Sequence, residues 1–418
     1  MDEPTRAFLT RLFNAAVAAA EPGAAMAPHL PERPKGRTIV IGAGKGAAQM
    51  ARAFERLWDA PLQGVVVTRY GYGAECRHIR VLEAAHPVPD SAGLAASQAL
   101  LAEVAGLSSD DLVVALISGG GSALLPCPVP GLTLDDEQAV NQVLLASGAP
   151  ISVMNLIRKQ ISAIKGGRLA AAAYPAQVVT LVVSDVPGDD PAQVASGPTV
   201  PDRGSAEQAL AAINSFGMAF SPAVMAAIET ANAPDPDDPV FARNNVRVIA
   251  SATQSLEAAA SAAEAAGINA VILSDAIEGE AREVGRVHAA IAREVAIRNR
   301  PFRKPVVILS GGETTVTLKG KGRGGRNTEF LLALALAIDG MDAINALAAD
   351  TDGIDGSEDN AGAFADGATI ARIRRAGLDA GELLATNDAW AAFHAADTLF
   401  VPGPTGTNVN DFRAILVR

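Results

Sequence analysis

Short apolar runs that alternate with segments of helical periodicity dominate the first half of the chain. The runs at residues 38–41, 64–67, 81–85, 111–117 and 178–183 are rich in Val, Ile, Leu and Ala, and most lead into glycine or small polar residues. Such runs are typical of strands buried on both faces of a parallel sheet, with crossover helices between them. The pattern predicts an α/β domain, a Rossmann-like sandwich with helices on both faces of the sheet.

A break and a restart of this pattern indicate a second domain. Residues 232–239 are dominated by Pro and Asp and form the best linker in the chain, and strand-like runs resume at residues 246–250 and 306–309. At 418 residues the chain is also too long for one ordinary core. We therefore expect an N-terminal Rossmann-like domain over residues 1–238 and a smaller C-terminal α/β domain over residues 239–418.

Both ends of the chain carry further predicted elements. Residues 6–20 have helical periodicity, with Phe8, Leu12 and Phe13 on one face, and predict a packing helix of the first domain. Residues 398–401 are apolar and are predicted to form the final strand, followed by a polar loop.

Composition restricts the classes of partner. A net charge of −12 argues against nucleic acid as the main partner. No uncharged apolar run approaches the roughly 20 residues of a membrane span, and the first residues lack the features of a signal peptide. Cys76 and Cys127 offer neither a disulfide framework nor a metal cluster. We expect a cytoplasmic protein without membrane or nucleic-acid partners.

The loop after the first predicted strand has two interpretations. Residues 42–47 fit the dinucleotide pattern G-x-G-x-x-A, but the acid expected after the second strand is replaced by Thr68 and Arg69. Lys45 lies at a predicted helix start, where the helix dipole disfavours a cation. It is either an exposed lysine or part of an anion site, because a bound anion would offset that cost.

Polar residues also follow the other strands of the first domain. Three glycines between Ser118 and Ser122 predict an anion cradle at the carboxyl end of a buried strand. Asp185 stands at the next strand end, where a metal-holding or proton-accepting carboxylate belongs. His86 could contact a ligand, although a structural loop histidine is the favoured interpretation. Parallel strands would bring all these loops to one edge of the sheet.

Basic and acidic loops in the second half suggest a phosphorylated or carboxylated ligand. Residues 319–326 interleave Lys319, Lys321, Arg323 and Arg326 with glycines, which let backbone N–H groups approach an anion. Acids at 350, 352 and 355 suit Mg²⁺ held through one or two carboxylates and phosphate oxygens. The alternative for these acids is a solvated Asp-Gly turn.

Taken in order along the chain, these motifs resemble the class II glycerate kinases, some of which carry the label hydroxypyruvate reductase. The matching segments include Gly44-Lys45, residues 86–90, 118–122, 165–169 and 184–185. They continue in the second half with residues 195–199, 310–313, 322–327, 351–356 and 405–408. The resemblance covers nearly the whole chain and implies an N-terminal glycerate kinase domain and a C-terminal MOFRL domain. It further implies an ATP- and Mg²⁺-dependent kinase that makes 2-phosphoglycerate from D-glycerate in a cleft between the domains. A homodimer is left open.

The resemblance also carries roles to single residues. Lys45, Asp185 and Arg326 match the positions used for catalysis and phosphate handling. For the Mg²⁺ that the resemblance implies, Asp352 and Asp355 are candidates on their own chemistry, directly or through water. The expected substrate- or nucleotide-binding residues are Gly44, Ser118, Gly119, Gly120, Gly121, Ser122, Lys165, Arg168, Ser184, Gly312, Glu313, Gly324, Gly325, Asn327 and Asn408. The chain departs from the family pattern at Gly46, where alanine is usual, at Thr328, where glutamine is usual, and at Gln160, where histidine is common.

The sequence leaves two alternatives to the kinase function. An NAD(P)H-dependent hydroxypyruvate reductase is favoured by residues 42–47 and by Arg69, which could meet a 2′-phosphate. However, such an enzyme has no use for a second domain with a basic glycine loop and an Asp-Gly triplet. A non-catalytic regulator that binds sugar phosphates would bind without turnover, and nothing resembling a DNA-binding module supports it.

Overall fold

The computed structural model describes residues 1–186 and 188–418 and divides them into two compact units. The central unit comprises Pro22–Ile249, and the terminal unit combines Met1–Glu21 with Ala250–Arg418. Among the described residues, no helix has the length and apolar character needed to cross a membrane.

Helices and strands alternate along the chain. The α-helices are α1 (Glu3–Ala19), α2 (Pro22–Met26), α3 (Ala47–Leu57), α4 (Ser91–Glu103), α5 (Gly121–Leu124), α6 (Leu134–Ala146), α7 (Ile151–Gln160), α8 (Arg168–Ala172), α9 (Ala206–Ser215), α10 (Pro222–Glu229), α11 (Ala252–Ala265), α12 (Ala281–Arg298), α13 (Arg326–Ala337), α14 (Thr369–Arg375), α15 (Ala380–Ala385) and α16 (Ala389–Ala395). The strands are β1 (Thr38–Ala43), β2 (Gln63–Arg69), β3 (Ile79–Ala84), β4 (Leu112–Ser118), β5 (Gln177–Val183), β6 (Asn245–Ala250), β7 (Asn269–Ile272), β8 (Gly279–Glu280), β9 (Val306–Gly312), β10 (Thr314–Thr315), β11 (Ile344–Asp350), β12 (Gly362–Asp366), β13 (Leu399–Phe400) and β14 (Asp411–Val417).

The central unit contains the Rossmann-like sheet that the sequence predicts. Its strand order is β3-β2-β1-β4-β5-β6, and β1 to β5 pair in parallel. Every position of β1 and β4 is buried, as expected for strands covered on both faces. The order reverses between β1 and β4, and ligands of such sheets bind outside the carboxyl ends at this switch point. The loops at residues 44–46 and 119–122 therefore begin where a ligand is expected.

The terminal unit contains a mixed sheet in the order β13-β12-β11-β14-β9-β7. Strand β14 runs antiparallel to both β9 and β11, so its first residue lies beside their last residues. Asp411 consequently pairs with Gly312 on one side and with Asp350 on the other. This register collects the ends of three strands at one place.

The prediction that residues 398–401 form the final strand is wrong. Two residues there are extended, as β13 at the sheet edge, whereas the last strand is β14, in the interior of the sheet. Buried Arg413 interrupts the apolar run of β14. Charged residues are rarely buried completely, and this interruption hides the strand in the sequence.

The helix at the start of the chain is confirmed as α1, but it belongs to the terminal unit. Its apolar face, including Phe8, Leu12 and Phe13, packs in one cluster with Val307 and Leu309 of β9. The alternate residues of β9 face the opposite cluster beneath α12 and α13. Helix α1 thus covers one face of a sheet whose strands come much later in the sequence. The compact units consequently differ from the predicted division at residue 238, since residues 239–249 also stay with the central unit.

Candidate active site

The loops after β1 and β4 interlock at the switch point of the central sheet. The N–H of Lys45 donates to the carbonyl oxygen of Gly119 at 2.8 Å, and the N–H of Gly46 donates to Oγ of Ser118 at 3.0 Å. Gly44 has φ of +133°, and a β-carbon there would lie 2.2 Å from Oγ of Ser118. A side chain at position 44 would therefore separate the two loops.

Two glycines of the β4 loop bring three ionisable side chains together. A β-carbon on Gly119 would lie 1.8 Å from Oδ2 of Asp185. One on Gly120, where φ is +76°, would lie 3.0 Å from Cγ of Lys45 and 3.1 Å from Nε2 of His86. The strand ends of β1, β3, β4 and β5 thus contribute to one cluster, as the parallel arrangement predicts.

The cluster is electropositive on its Lys45 side. Burial lowers the pKa of His86 to about 4, with further contributions from the charges of Lys45 and Arg69. The guanidinium carbon of Arg69 lies 3.5 Å from the ring centroid of Tyr72. Two cations that act on a neutral histidine make an environment that favours a bound anion.

A chain of polar side chains extends the glycine loop toward α7. Oγ of Ser122 lies 2.8 Å from Oγ of Ser196, which donates to Oδ1 of Asn155 at 2.9 Å. Arg158 donates to the same oxygen from Nη1 at 3.2 Å. Sequence reasoning did not select Ser196 or Asn155 individually, although residues 195–199 form one of the motifs that carry the resemblance.

Lys165 and Arg168, both expected to bind a ligand, are engaged in contacts within the fold. Nζ of Lys165 lies 2.9 Å from Oε1 of Glu137 and 2.6 Å from the carbonyl oxygen of Leu125, and both charged side chains are buried. Arg168 donates to the carbonyl oxygens of Lys159 and Lys165. These contacts connect α6, α7 and the start of α8. Ser184 bonds locally to Val186 through its hydroxyl group.

In the terminal unit, Arg326 lies at the first position of α13 and contacts three carboxylates. Its Nε lies 2.6 Å from Oδ1 of Asp411, its Nη2 lies 2.6 Å from Oδ2 of Asp350, and its Nη1 lies 2.9 Å from Oε1 of Glu313. Burial would lower the pKa of Arg326, but the three carboxylates outweigh it and raise the pKa. Asp411 is fully buried and Glu313 is half exposed, so the three partners differ in their access to solvent.

Most N–H groups of the basic loop are used inside the protein. Those of Lys319 and Gly320 donate to Oδ1 of Asn387, that of Gly322 donates to the carbonyl oxygen of Thr386, and that of Gly325 donates to Oγ1 of Thr328. The glycines here allow close packing, because a β-carbon at position 322 would lie 2.5 Å from the side chain of Asp388. The anion site expected in this loop therefore has few free N–H donors at residues 322–325.

The two acids expected to bind Mg²⁺ have different environments. Both oxygens of buried Asp355 accept bonds from the first turn of α13, from the N–H groups of Asn327 and Thr328 and from Oγ1 of Thr328. Burial raises the pKa of Asp355 to about 6 despite these bonds. Asp352 is half-buried and, among the residues described, its side chain accepts a bond from the N–H of Ile354. Asp355 therefore caps the N-terminus of α13, whereas the carboxylate of Asp352 can still accept bonds from another ligand.

No group of three or more His, Cys, Asp or Glu within the described ranges is arranged as a metal centre. Burial raises the pKa of Asp350 well above its usual value, and the charges of Asp352 and Asp411 add to this effect against the opposing charge of Arg326. Such crowding of carboxylates fits Mg²⁺ that is held by one or two of them and by phosphate oxygens.

The remaining expected residues surround the same strand ends. Gly312 has φ of +122°, and a β-carbon there would lie 2.3 Å from the backbone of Ile277. Asn327 donates to Asp411 from Nδ2 at 2.8 Å. Asn408 accepts the N–H of Asn410 in the loop before β14.

Comparisons with known proteins agree with this architecture. A model of a domain of unknown function, DUF4147, matches residues 8–229, and the MOFRL family model matches residues 306–411. The D-glycerate 2-kinase of Thermotoga maritima is 38% identical over 98% of this chain and 97% of that protein. The chain belongs to the class II glycerate kinase family.

Two further comparisons show how the names within this family vary. A crystal structure of glycerate kinase from Thermotoga maritima has a TM-score of 0.91 and 36% identity, with complete coverage of both chains. A protein of Agrobacterium vitis with the provisional name hydroxypyruvate reductase is 52% identical over 100% of this chain and 95% of that protein. Kinase and reductase names thus occur among full-length relatives of this glycerate kinase family member.

Proposed function

We propose that the protein transfers the γ-phosphoryl group of ATP to the 2-hydroxyl of D-glycerate, giving 2-phosphoglycerate and ADP. The observation that carries this proposal is the convergence of Lys45, the glycine loop and Asp185 at the switch point of the central sheet. Phosphoryl transfer depends on positioning and charge neutralisation more than on covalent chemistry. This reaction needs a cation, a glycine backbone that a phosphate can approach closely, and a carboxylate. All three lie at one edge of the central sheet.

The three matched residues divide between two roles in this proposal. Asp185 orients the 2-hydroxyl group and accepts its proton as the oxygen attacks. Lys45 and Arg326 neutralise charge on the transferring phosphoryl group, an effect worth about 10³-fold or more in related reactions.

Arg326 has to exchange partners in order to act on a phosphate. Asp411 is buried and holds Nε, whereas Glu313 is half exposed and holds Nη1. We infer that phosphate oxygens replace Glu313 and Asp350 at the two Nη groups, while the bond to Asp411 stays. Asp352 and Asp350 would hold Mg²⁺, which would supply further neutralisation of phosphate charge.

The assay uses the purified protein with D-glycerate, ATP and Mg²⁺. ADP release is followed, and enolase identifies the product, since it dehydrates 2-phosphoglycerate and not its 3-isomer. Lys45→Ala, Asp185→Asn and Arg326→Ala are each expected to lower kcat by about 10²–10³-fold. Lys35→Ala and Lys319→Ala remove exposed cations and serve as controls. Rates within about tenfold of wild type in all three variants would contradict the assignment.

Reduction of hydroxypyruvate is the second candidate, favoured by the name of the Agrobacterium vitis relative. The second strand of the central unit ends with Thr68 and Arg69, so the acid that commonly binds the ribose of NAD is replaced. NADPH oxidation with hydroxypyruvate, measured beside ADP release with D-glycerate, separates the two functions. We expect turnover in the kinase assay alone.

A further inference from the structure

The two carboxylate oxygens of Asp411 accept hydrogen bonds from different sets of residues. Its Oδ1 accepts from Nε of Arg326 at 2.6 Å and from Nδ2 of Asn327 at 2.8 Å. Its Oδ2 accepts from Arg413 and from the N–H and Oγ1 of Thr314, the latter two at 3.3 and 3.2 Å. The carboxylate thus links the first turn of α13 to the interior of the sheet.

Arg413 anchors the far side of this link. Its side chain is completely buried, and it bonds to the carbonyl oxygen of Gly311 at 3.2 Å as well as to Asp411. The guanidinium carbon lies 5.1 Å from the ring centroid of Phe330 on α13. A planar guanidinium fixes two acceptors at once, which the ammonium of lysine does not reproduce. Burying such a pair costs desolvation energy that is offset only when the geometry is good and further hydrogen bonds satisfy both groups.

We propose that Asp411 and Arg413 are positioning residues that hold Arg326 by its Nε and leave its Nη groups to meet the phosphoryl group. The inference rests on the proposed function. Asp411 has no exposed surface and both its oxygens are bonded, so it acts through Arg326 and not on substrate. A guanidinium held at one edge keeps its orientation while its other partners change.

A double-mutant cycle tests this role, because residues that act through one another are not additive. Asp411→Asn is made in the wild-type protein and in Arg326→Ala. We expect Asp411→Asn to lower kcat by about 30-fold or more in the wild type, with KM for ATP and D-glycerate within about threefold. In the Arg326→Ala background it should change kcat by less than about threefold. An equal loss of kcat in both backgrounds would overturn the proposal.

Two further variants distinguish a loss of kcat that comes from misplacing Arg326 from one that comes from a less stable fold. Asp366→Asn removes a buried carboxylate of the terminal unit that pairs with Arg372 away from this cluster. It should lower the thermal unfolding temperature but leave kcat within about threefold of wild type. Arg413→Lys repeats the cycle if Asp411→Asn does not fold, with the same expected non-additivity. Inactive wild-type protein would refute the proposed function, whereas additive losses in active protein would refute the positioning role alone.

Discussion

Gly119 and Asp185 lie so close that a β-carbon on the glycine would be 1.8 Å from Oδ2 of the carboxylate. Real β-carbons do not approach an oxygen to this distance, so any side chain at position 119 must displace Asp185. The requirement for glycine here comes from the carboxylate and not from backbone strain, since φ of Gly119 is not in the left-handed region.

Gly119→Ala is therefore expected to lower kcat for glycerate phosphorylation by about 10²-fold, because Asp185 moves away from the position proposed for the base. Gly46→Ala is the matched control in the facing loop. A β-carbon there would lie 3.5 Å from Oγ of Ser118, an ordinary contact. Steady-state kinetics of both variants test this, and equal activities would contradict it.

The buried ion pair of Lys165 and Glu137 leads to a second prediction, which concerns the stability of the protein. Removing one partner of a buried ion pair leaves an uncompensated charge, so Lys165→Met should destabilise the protein by about 3–5 kcal/mol. Lys165→Met combined with Glu137→Leu should recover much of this loss, since apolar replacement of a whole pair is often neutral. Urea unfolding measures both effects.

The same variants decide whether Lys165 binds a ligand. If its role is structural, kcat of the folded double variant should stay within about threefold of wild type. A loss of about 10²-fold or more in kcat, with the stability recovered, would instead support the ligand-binding role that the motif suggested.

The central unit could be predicted from sequence because its signals are local. Each apolar run ends in its own loop, and parallel pairing brings the loops of Lys45, Gly119 and Asp185 to one edge whatever the details of packing. The terminal unit could not be predicted as fully. Asp411 becomes a partner of Arg326 only when β14 enters the sheet between β9 and β11, and buried Arg413 masks that strand.

Cations interspersed with glycines predict an anion site less reliably than polar loops at strand ends do. Residues 165–168 and 319–325 both have the composition of an anion site, yet Lys165 pairs with Glu137 and the backbone of Gly322 packs on Thr386. Composition does not show which donors the folded chain uses internally. That information depends on contacts with residues tens of positions away in sequence.

A third prediction separates Asp352 and Asp355, the two acids that the sequence analysis selects for Mg²⁺. Asp352→Asn should raise the Mg²⁺ concentration for half-maximal activity by about tenfold, because it removes a carboxylate with remaining capacity. Asp355→Ala should leave this concentration unchanged and destabilise the protein by about 2–4 kcal/mol, since two buried N–H groups of α13 lose their acceptor. Mg²⁺ titrations and urea unfolding measure these effects. A raised Mg²⁺ requirement in Asp355→Ala would contradict the structural role.

His288 on α12 leads to a prediction about acid. Its Nδ1 lies 2.8 Å from the carbonyl oxygen of Val284, so this nitrogen carries the proton, and Nε2 accepts from Oγ of Ser310 at 2.9 Å. Burial lowers the pKa of His288 to about 4, and the charge of Arg413 adds to the effect. The folded protein therefore keeps this ring neutral where the unfolded chain, with an ordinary pKa near 6.5, binds a proton.

Because the unfolded state binds more protons between these two pKa values, the free energy of unfolding falls as the pH drops from about 6.5 to 4. A shift of this size corresponds to about 3 kcal/mol from His288. Urea unfolding of the wild type and of His288→Gln at pH 7 and pH 4.5 should show that the variant loses less stability on acidification. His78→Gln removes an exposed histidine and should lose as much as wild type. An equal acid loss in wild type and His288→Gln would contradict this prediction, because it would show that the ring has the same pKa in the folded and unfolded protein.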